Sequence, residues 1–523
     1  MVWLSPVYRS PQDDNGYDIS DYDDVDPVFG TLGDLDDLIA TLHARGIRLV
    51  MDLVVNHTSD EHAWFEESRR SRVDAKADWY VWRDPRPGCV GGEPGAEPSN
   101  WESFFSGPAW EWDAVRGQYY LHLFSRKQPD LDWENPEVRE AVHAMMRRWL
   151  DRGVDGFRMD VVNMLSKDQS FPDGVVAAGR DDALGDGLGD GTPSFVCGPR
   201  LEEFLAEMRR EVFDARPGTY LTVGEMPMTT PEQALVFTDA DTGPLDMVFQ
   251  FEHVDLDGDG SKWVPRPCGV LELKQSLARW QDALGERGWN SLYWCNHDQP
   301  RVVSRFGDDT TYWRESATAL ATLLHLHRGT PYVYQGEELG MRNVAFADVA
   351  DYRDIETLNH VATAAAAGAE PGDVLAVVHA KSRDNARTPM PWTAGAQAGF
   401  TTGEPWIRVG PDHTWLNAEA QRDDPTSVLA HYRSLIALRH ADDVVVHGDF
   451  ALVQPDHPVL WAFARTGATG RLAVYANCSG EPLAVRLEPA DAGADLVLAN
   501  LSDADPTAGV LRPWETWVLR SVP

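Results

Sequence analysis

The stretch "DGFRMDVVNM", residues 155–164, sets an arginine and an aspartate into a segment that is otherwise as apolar as a buried strand. Side chains alternate between the two faces of a strand, so Arg158 and Asp160 point the same way. A buried charge is costly unless it is paired, and each of these residues is a suitable partner for the other. Taken alone, the stretch predicts a structural ion pair inside a sheet. The rest of the chain favours a functional site instead.

Similar apolar runs recur along the chain, and each is followed by polar residues. They lie at residues 2–8, 48–57, 156–162, 220–226, 247–253, 291–297 and 330–338. Helical patterns that end in glycine lie between most of them, for example at 31–46 and 136–153. Apolar strands that alternate with helices imply a parallel sheet, and a number of strands close to eight predicts an α/β fold of the (β/α)8 TIM-barrel type.

Polar residues stand at the C-terminal ends of four of these runs. They are Asn56 and His57, Arg158 and Asp160, Glu225, and His297 and Asp298. In a TIM barrel this end of the strands carries the active site. Four unrelated structural ion pairs are a poor explanation for four strands that end in this way. We therefore predict that these residues form an active site.

The character of the sequence changes along the chain and predicts three domains. Residues 1–60 and 136–440 carry the strands and helices of the barrel. Residues 61–135 follow the third strand, are rich in Trp, Gly and Pro, and predict a subdomain inserted over the barrel mouth. Residues 441–523 carry short alternating strands and predict a C-terminal antiparallel β-sandwich domain.

The composition disfavours several classes of partner. The chain has 523 residues and a formal net charge of −37, which argues against nucleic acid and anionic membrane surfaces. A neutral substrate suits this charge best. The 20 Trp residues suit the apolar faces of sugar rings, although most of them must belong to the core.

Cysteine usage and hydropathy indicate a cytoplasmic protein. The five cysteines form no C-x-x-C pair, which argues against a disulfide framework and a structural zinc site. No apolar run reaches the length of about 18 residues needed to span a membrane. The start "MVWLSPVYRSPQDD" lacks the basic region and apolar core of a secretion signal. We expect a monomer or weak homo-oligomer without a membrane partner.

Five short motifs, in this order along the chain, resemble those of glycoside hydrolase family 13, the α-amylase family. They are "DLVVNH" (52–57), "QPDLDW" (128–133), "GFRMDVV" (156–162), "TVGEM" (222–226) and "NHDQPR" (296–301). Three further stretches are similar to the oligo-1,6-glucosidases and dextran glucosidases within that family. They are "NGYDISDY" (15–22), "LYWCNHDQPRVVSRFG" (292–307) and "SRDNARTPM" (382–390). The resemblance covers nearly the whole chain.

The resemblance implies three catalytic carboxylates. Asp160 matches the family's nucleophile and Glu225 its acid/base, while Asp298 matches a third carboxylate that binds sugar hydroxyl groups. The residue chemistry agrees, because a glycosidase needs two carboxyl groups of opposed protonation. Arg158 is expected to hold Asp160 ionised. Glu225 has apolar neighbours and no adjacent cation in the sequence, which favours a raised pKa.

The resemblance also implies a pocket for the non-reducing glucose of the substrate. The residues that match its lining are Asp18, His57, Arg158 and His297. Arg387 in "NARTPM" matches an arginine expected to pair with Asp18 and close the end of the pocket, which restricts cleavage to chain ends. Arg383 lies close in the sequence and is an alternative for this role.

The expected function is that of a retaining, exo-acting α-glucosidase that hydrolyses terminal α-1,6-glucosidic bonds of isomaltose-type oligosaccharides. Val161, directly after the nucleophile, matches the residue that accompanies α-1,6 activity in this group; ordinary strand packing is the alternative reason for it. A related α-glucosidase acting on sucrose, maltose or trehalose 6-phosphate, and a transglycosylase, are alternative functions. A non-catalytic interaction protein is disfavoured, because all three carboxylates are kept.

The chain departs from the family pattern in two places. The strand and helix that the family places ahead of "VWLSP" are missing, and that segment carries the family's calcium loop. We therefore expect no metal and no cofactor, and an inactive fragment is the alternative if the first β/α unit is essential. Pro391 in "PMPW" replaces the more usual glutamine, with no predicted consequence.

Overall fold

Five parallel strands form the main sheet of residues 1–250, the first of two compact units into which the chain divides; the second comprises residues 251–523. The computed structural model describes residues 1–176 and 187–522. Part of the predicted barrel range 136–440 and the last residue of the predicted C-terminal domain therefore lie outside the described residues.

The first unit alternates strands and helices along its length. Its described strands, β1 to β10 in chain order, are Val2–Leu4, Tyr8–Arg9, Asp21–Val25, Leu49–Leu53, Trp82–Arg83, Trp110–Asp113, Gln118–Leu121, Gly156–Met159, Leu221–Glu225 and Met247–Phe249. Its described α-helices, α1 to α5, are Leu32–His43, Ala63–Arg70, Pro136–Arg152, Leu201–Met208 and Pro231–Thr238. A π-helical segment, Arg209–Asp214, continues α4.

The main sheet has the strand order β1-β4-β8-β9-β10, and all neighbouring pairs are parallel. β4 and β8 are buried along their whole length, as expected of strands covered on both faces. The register sets Asp52 of β4 beside Arg158 of β8, and Phe249 of β10 beside Glu225 of β9. The prediction of a parallel sheet from these apolar runs is confirmed.

Local capping explains where the two predicted helices begin and end. Thr31 and Asp34 form a reciprocal capping box at the start of α1. Asn135 caps α3 and Pro136 occupies its first turn, while Gly153 ends it in a left-handed conformation with φ of 114°. Both helices predicted from their patterns are confirmed.

The strands are shorter than the apolar runs that predicted them, and this matters most at β8. β8 ends at Met159, so Asp160 is the first residue beyond the strand. The amide of Asp160 still donates to the carbonyl of Leu53 at 2.9 Å. Val161 then adopts a left-handed backbone with φ of 33°, which a β-branched residue rarely does. The chain therefore turns sharply directly after Asp160.

Residues 61–135 contain α2 and a small antiparallel sheet of order β5-β7-β6. Their aromatic side chains share a hydrophobic core with Val161, Met164 and Phe171, which follow β8 in the chain. The segment therefore packs beside the turn that follows Asp160. Its definition as an inserted subdomain stays a prediction.

Within residues 251–522 the second unit carries three sheets, one parallel and two antiparallel. Its described strands, β11 to β19, are Ser291–Leu292, Thr330–Pro331, Asp449–Val453, Leu460–Gly467, Gly470–Asn477, Leu483–Ala484, Asp495–Ala499, Val510–Leu511 and Thr516–Ser521. Its described α-helices, α6 to α15, are Glu252–Asp255, Val270–Leu284, Val302–Phe306, Trp313–Leu326, Ile355–Ala366, Pro371–Lys381, Asp384–Arg387, Ala418–Gln421, Val428–Ala441 and Asp443–His447. β11 and β12 are parallel. Among the helices of residues 1–176 and 187–522, none is long and apolar enough to cross a membrane.

The C-terminal sheet is antiparallel, has the order β13-β14-β15-β19-β17, and is covered on both faces. Alternate residues of a strand point to opposite faces. One face, which includes Trp461 and Phe463, packs in a common core with α7, α8, α9, α14 and α15. The other face, which includes Tyr475 and Trp517, packs against the antiparallel pair β16–β18.

Two buried cations reinforce the contact between this sheet and the helices. The ammonium of Lys274, on α7, donates at 3.3, 2.8 and 3.0 Å to three backbone carbonyls, those of Gln454, His457 and Leu460. Arg465, on β14, donates at 2.9 Å to the carbonyl of Leu326 at the end of α9. Residues 441–522 and the helices of residues 270–326 therefore share one core. The predicted limits of the three domains stay predictions.

Replacing Lys274 with Met is expected to lower the free energy of unfolding by at least about 2 kcal/mol, because three buried carbonyls lose their donor. Lys262→Met is the matched control, since Lys262 pairs with Glu356 at a half-exposed position and should cost less than about 1 kcal/mol. Urea denaturation of both variants and the parent measures the difference. Equal losses in the two variants would contradict this role for Lys274.

Candidate active site

Arg158 lies at the centre of a buried cluster in the first unit and bonds three carboxylates. Its Nη1 donates to Asp52 Oδ1 at 3.0 Å and to Asp160 Oδ1 at 2.6 Å. Its Nη2 lies 2.8 Å from Glu225 Oε2. The predicted pairing of Arg158 with Asp160 is confirmed. Arg158 is thus a cation in contact with Glu225, although no cation is adjacent to Glu225 in the sequence.

Neighbouring strands of the main sheet position these groups. The parallel register places Asp52 of β4 directly beside Arg158 of β8, and Glu225 is the last residue of β9, the next strand in the sheet. The rings of Trp3 and Tyr17 lie 5.1 and 5.7 Å from the guanidinium, which favours a cation at this place. Strands therefore place Asp52, Arg158 and Glu225, while Asp160 directly follows a strand.

Burial dominates the electrostatics of this cluster. Burial raises the pKa of Asp52 to about 6 and that of Asp160 to about 7, although Arg158 acts in the opposite direction. One guanidinium does not neutralise three carboxylates, and uncompensated charge in a buried site is costly. Burial raises the pKa of Asp160 and Arg158 lowers it, so the expectation that Arg158 holds Asp160 ionised stays a prediction.

Val161 contributes to the site through its backbone. Its left-handed conformation directs the amide N–H to Glu225 Oε2, at 3.1 Å. A β-branched residue in this conformation carries strain, which the surrounding structure must offset. The Val161 side chain is buried in the same core as Trp101 and Phe171. The packing of residues 61–135 therefore helps to hold the turn that presents this amide.

Gln128 links His57 to the loop of residues 10–20. Its Nε2 lies 3.1 Å from Asp14 Oδ2, 3.3 Å from the carbonyl of Tyr17 and 3.3 Å from His57 Nε2. His57 Nε2 also lies 3.0 Å from the carbonyl of Tyr17. Burial lowers the pKa of His57, so the ring is neutral at neutral pH. His57 is thus fixed by partners that are distant in the sequence.

Asp18, expected in the pocket lining, holds its own loop together. Its Oδ1 accepts from Ser10 Oγ at 2.9 Å and from the amide of Asp14 at 3.1 Å, and its Oδ2 accepts from the amide of Asp13 at 2.9 Å. The side chain is fully buried, and burial raises its pKa to about 6 despite these donors. Within the first unit, Asp14 is the residue of this loop whose carboxylate contacts Gln128.

The buried ammonium of Lys167 joins two motifs of the first unit. Lys167 Nζ lies 2.8 Å from Asp130 Oδ2 and 2.8 Å from Asn56 Oδ1. Asn56 Nδ2 donates to the same oxygen of Asp130 at 3.1 Å. All three side chains are buried. The network therefore ties "DLVVNH" and "QPDLDW" to the segment that follows the turn after Asp160.

In the second unit Asp298 is surrounded by nitrogen donors. Its Oδ1 accepts from Arg387 Nη2 at 2.6 Å and lies 3.3 Å from Arg383 Nη1, and its Oδ2 lies 3.1 Å from His297 Nε2. Burial acts to raise the pKa of Asp298, but His297, Arg383 and Arg387 outweigh it and hold this pKa well below its usual range. Asp298 is therefore ionised at neutral pH.

Both arginines also bind Asp354. Arg383 Nε donates to Asp354 Oδ1 at 2.8 Å, and Arg387 Nη1 lies 3.7 Å from the same oxygen. Asp354 Oδ2 accepts from the amide of Thr357 at 3.1 Å and so caps α10. Within the second unit Arg387 thus pairs with Asp298 and Asp354. Its predicted pairing with Asp18, a residue of the first unit, stays a prediction.

Sequence reasoning missed several members of these networks: Asp14, Asp52, Gln128, Lys167 and Asp354. Asp52 carried a usable signal, because it is the one charged residue in the apolar run at 49–55. Gln128 carried one as the first residue of "QPDLDW". Lys167 carried none, since its partners lie tens of residues away in the chain.

Cationic side chains stand beside the buried carboxylates of both units. Arg158 forms ion pairs with Asp52 and Asp160, and Arg387 forms an ion pair with Asp298. Over residues 1–176 and 187–522, no group of three or more His, Cys, Asp or Glu side chains is arranged to hold a metal ion.

Replacing Lys167 with Met is expected to lower the free energy of unfolding by about 3–5 kcal/mol, because the carboxylate of Asp130 stays buried without its counter-ion. The double variant Lys167→Met, Asp130→Asn removes both charges and should recover much of this loss. Thermal and urea denaturation of the parent and both variants measure the effect. A double variant no more stable than the single variant would argue against the ion pair as the cause.

Comparison with known proteins agrees with this geometry. Residues 1–448 match the family model described as "Alpha amylase, catalytic domain". The chain is 50% identical to an oligo-1,6-glucosidase of Parageobacillus thermoglucosidasius, over 99% of this chain and 91% of that protein. It is 45% identical to a trehalose-6-phosphate hydrolase of Bacillus subtilis (strain 168), over 99% and 90% respectively. A crystal structure of a mutant trehalose-6-phosphate hydrolase of Bacillus licheniformis has a TM-score of 0.92 at 43% identity, over 100% of this chain and 92% of that one.

These matches establish the expected fold class, a TIM barrel with a C-terminal domain built on an antiparallel sheet. They also establish that the chain is an enzyme of the glycosidase class, whose substrates are oligosaccharides. Since the family model covers most of the chain and the identity to relatives reaches 50% over nearly its whole length, the chain belongs to the α-amylase family, glycoside hydrolase family 13.

Proposed function

We propose that the chain is a retaining, exo-acting α-glucosidase that hydrolyses terminal α-1,6-glucosidic bonds of isomaltose-type oligosaccharides. The observation that carries the proposal is the bridge that the Arg158 guanidinium makes between Asp160 and Glu225. Retaining glycosidases need two carboxyl groups roughly 5–5.5 Å apart. The shared guanidinium brings the carboxyl groups of Asp160 and Glu225 close together, which supports their use as such a pair.

The proposed reaction proceeds in two displacements. Asp160 attacks the anomeric carbon of the terminal glucose while Glu225 donates a proton to the departing oxygen, which leaves a covalent glucosyl-enzyme. Glu225 then takes a proton from a water molecule that attacks the same carbon, and the bond to Asp160 breaks. Two inversions give net retention. Arg158 and the Val161 amide both bond Glu225 Oε2, which orients its carboxyl group for both proton transfers.

The ionised Asp298 is proposed as the third carboxylate, which binds hydroxyl groups of the reacting sugar. Its support is the set of donors that keeps it charged and oriented. The residues proposed to shape the glucose pocket are Asp18, through the loop that it holds, His57, Arg158, Val161, His297 and Arg387. Closure of the pocket end through Arg387 is proposed as the reason for cleavage at chain ends.

The α-1,6 preference is supported by Val161 and by relatives named oligo-1,6-glucosidase. Trehalose 6-phosphate is a second candidate substrate, because other relatives carry the name trehalose-6-phosphate hydrolase. The net charge of −37 favours a neutral substrate over a phosphorylated one.

Several expectations about the chain stay predictions. They are the missing first β/α unit, the inserted subdomain at residues 61–135, the cytoplasmic location, the monomeric or weakly oligomeric state, and the need for no cofactor or metal.

Hydrolysis of isomaltose followed by proton NMR should show α-glucose as the first product, because two displacements retain the configuration. Asp160→Asn should lower kcat by several orders of magnitude, which attributes the signal to this site. Asp151→Asn, at an exposed position, is the matched control and should behave like the parent. Initial β-glucose, or an Asp160→Asn variant with the parent's rate, would refute the mechanism.

Val161→Ala should lower the ratio of the isomaltose rate to the maltose and sucrose rates, because a smaller side chain after the nucleophile admits other linkages. Val162→Ala, at a neighbouring buried position, is the control for the loss of packing alone. Initial rates on isomaltose, maltose, sucrose and trehalose 6-phosphate give the ratios. If Val161→Ala and Val162→Ala change them equally, Val161 acts only through packing. A parent most active on trehalose 6-phosphate would favour the second candidate.

A further inference from the structure

Asp52 has no part in the proposed reaction, yet it is one of the three carboxylates around Arg158. It lies in the middle of β4 and is buried. Its Oδ1 accepts from Arg158 Nη1 at 3.0 Å. Its Oδ2 accepts from Tyr17 Oη at 2.9 Å and from Trp3 Nε1 at 3.2 Å. Donors on both oxygens favour the ionised form of this carboxylate, against the effect of burial.

The partners of Asp52 also fix Arg158. The strand register sets Asp52 and Arg158 side by side. Trp3 and Tyr17, which donate to Asp52, are the same residues whose rings lie beside the guanidinium. Arg158 is thus anchored at Asp52, while its remaining bonds reach Asp160 and Glu225.

The cluster has more negative than positive groups. Three carboxylates share one guanidinium, so full ionisation would leave two negative charges uncompensated in a buried site. Such a site binds protons more tightly than water-exposed carboxyl groups do. Without the charge at residue 52, two carboxylates would share the guanidinium, and the tendency to retain a proton would weaken.

We propose that Asp52 is a positioning residue, which holds Arg158 across Asp160 and Glu225 and, by its negative charge, keeps the catalytic proton on that pair. The inference rests on the proposed glucosidase mechanism. Asp52 acts through Arg158 and exchanges no proton with the substrate. Asp52, on β4, thereby adjusts the pH range in which the enzyme works.

The direction of the expected effect follows from the groups that face Asp52 in the first unit. They are Arg158 on β8, Glu225 on β9, Tyr8 on β2, Tyr17 on the loop of residues 10–20, and Asp160 after β8. When residue 52 is neutral, the charge of Arg158 acts more strongly on Asp160 and Glu225 and favours their ionised forms. The general acid then loses its proton at a lower pH. The alkaline limb of the pH–rate profile should move to lower pH.

The test compares a substitution that removes the charge of residue 52 with one that keeps it. Asp52→Asn removes the charge and should move the alkaline limb of kcat/KM for an aryl α-glucoside to lower pH by about one unit. Asp52→Glu keeps the charge but displaces it, and should lower kcat without moving the limb. Trp3→Phe removes one donor to Asp52 and should move the limb in the same direction as Asp52→Asn, by less. This third variant keeps the proposal testable if Asp52→Asn does not fold.

Unfolding as a function of pH gives a readout that does not need activity. Burial raises the pKa of Asp52 in the folded protein to about 6, from an ordinary value of 3.8. At this carboxyl group the folded parent therefore binds more protons than the unfolded chain in this interval, and the contribution of Asp52 to stability should fall as the pH rises from about 4 to 6. Asp52→Asn should lose less stability over the same interval.

The outcomes separate this proposal from the proposed function. A parent without α-glucosidase activity counts against the proposed function, and the unfolding data still decide the role of Asp52. An Asp52→Asn variant that is slower but keeps the parent's alkaline limb and the parent's pH-dependent stability would overturn the proposal, since Asp52 would then only pack. Equal limb shifts in Asp52→Asn and Asp52→Glu would also overturn it, because the charge would not be the cause.

Discussion

One guanidinium bonded to three buried carboxylates is the constraint on which the first unit depends. Arg158 reaches Asp52, Asp160 and Glu225 only because β4, β8 and β9 are neighbours in a parallel sheet. Such a cluster persists only where the surrounding structure fixes every partner. The left-handed turn at Val161 and the packing of residues 61–135 against it provide part of that support.

The two units treat their carboxylates in opposite ways. Around Arg158 there is one cation for three acids, and burial raises the pKa of Asp160. Around Asp298 two arginines, which also bind Asp354, and a histidine hold its pKa well below its usual range. The number of nearby positive groups therefore accounts for the opposite directions of these two pKa shifts.

The sequence predicted those features that depend on local chemistry. The parallel sheet followed from apolar runs, the end of α3 from Gly153, and the Arg158–Asp160 pair from their spacing. Features that depend on distant segments were not predictable. The bond between Gln128 and His57 joins residues 71 positions apart, and the left-handed turn at Val161 contradicts the preference of a β-branched residue. The alternating pattern of the C-terminal strands can be read from the local sequence. The core that these strands share with α9 joins segments that are distant in the sequence, so it could not be predicted.

That shared core has a consequence for biosynthesis. β19 lies between β15 and β17, so the C-terminal sheet is incomplete until residue 521 has left the ribosome. The apolar faces of α7, α8 and α9 are covered by side chains of this sheet, such as Trp461 and Val518, which are synthesised later. At a translation rate of roughly 5–20 residues per second, the delay between the end of α9 and the last strand is on the order of ten seconds or more. During that interval apolar surface of the nascent second unit that the C-terminal sheet later covers stays exposed to water.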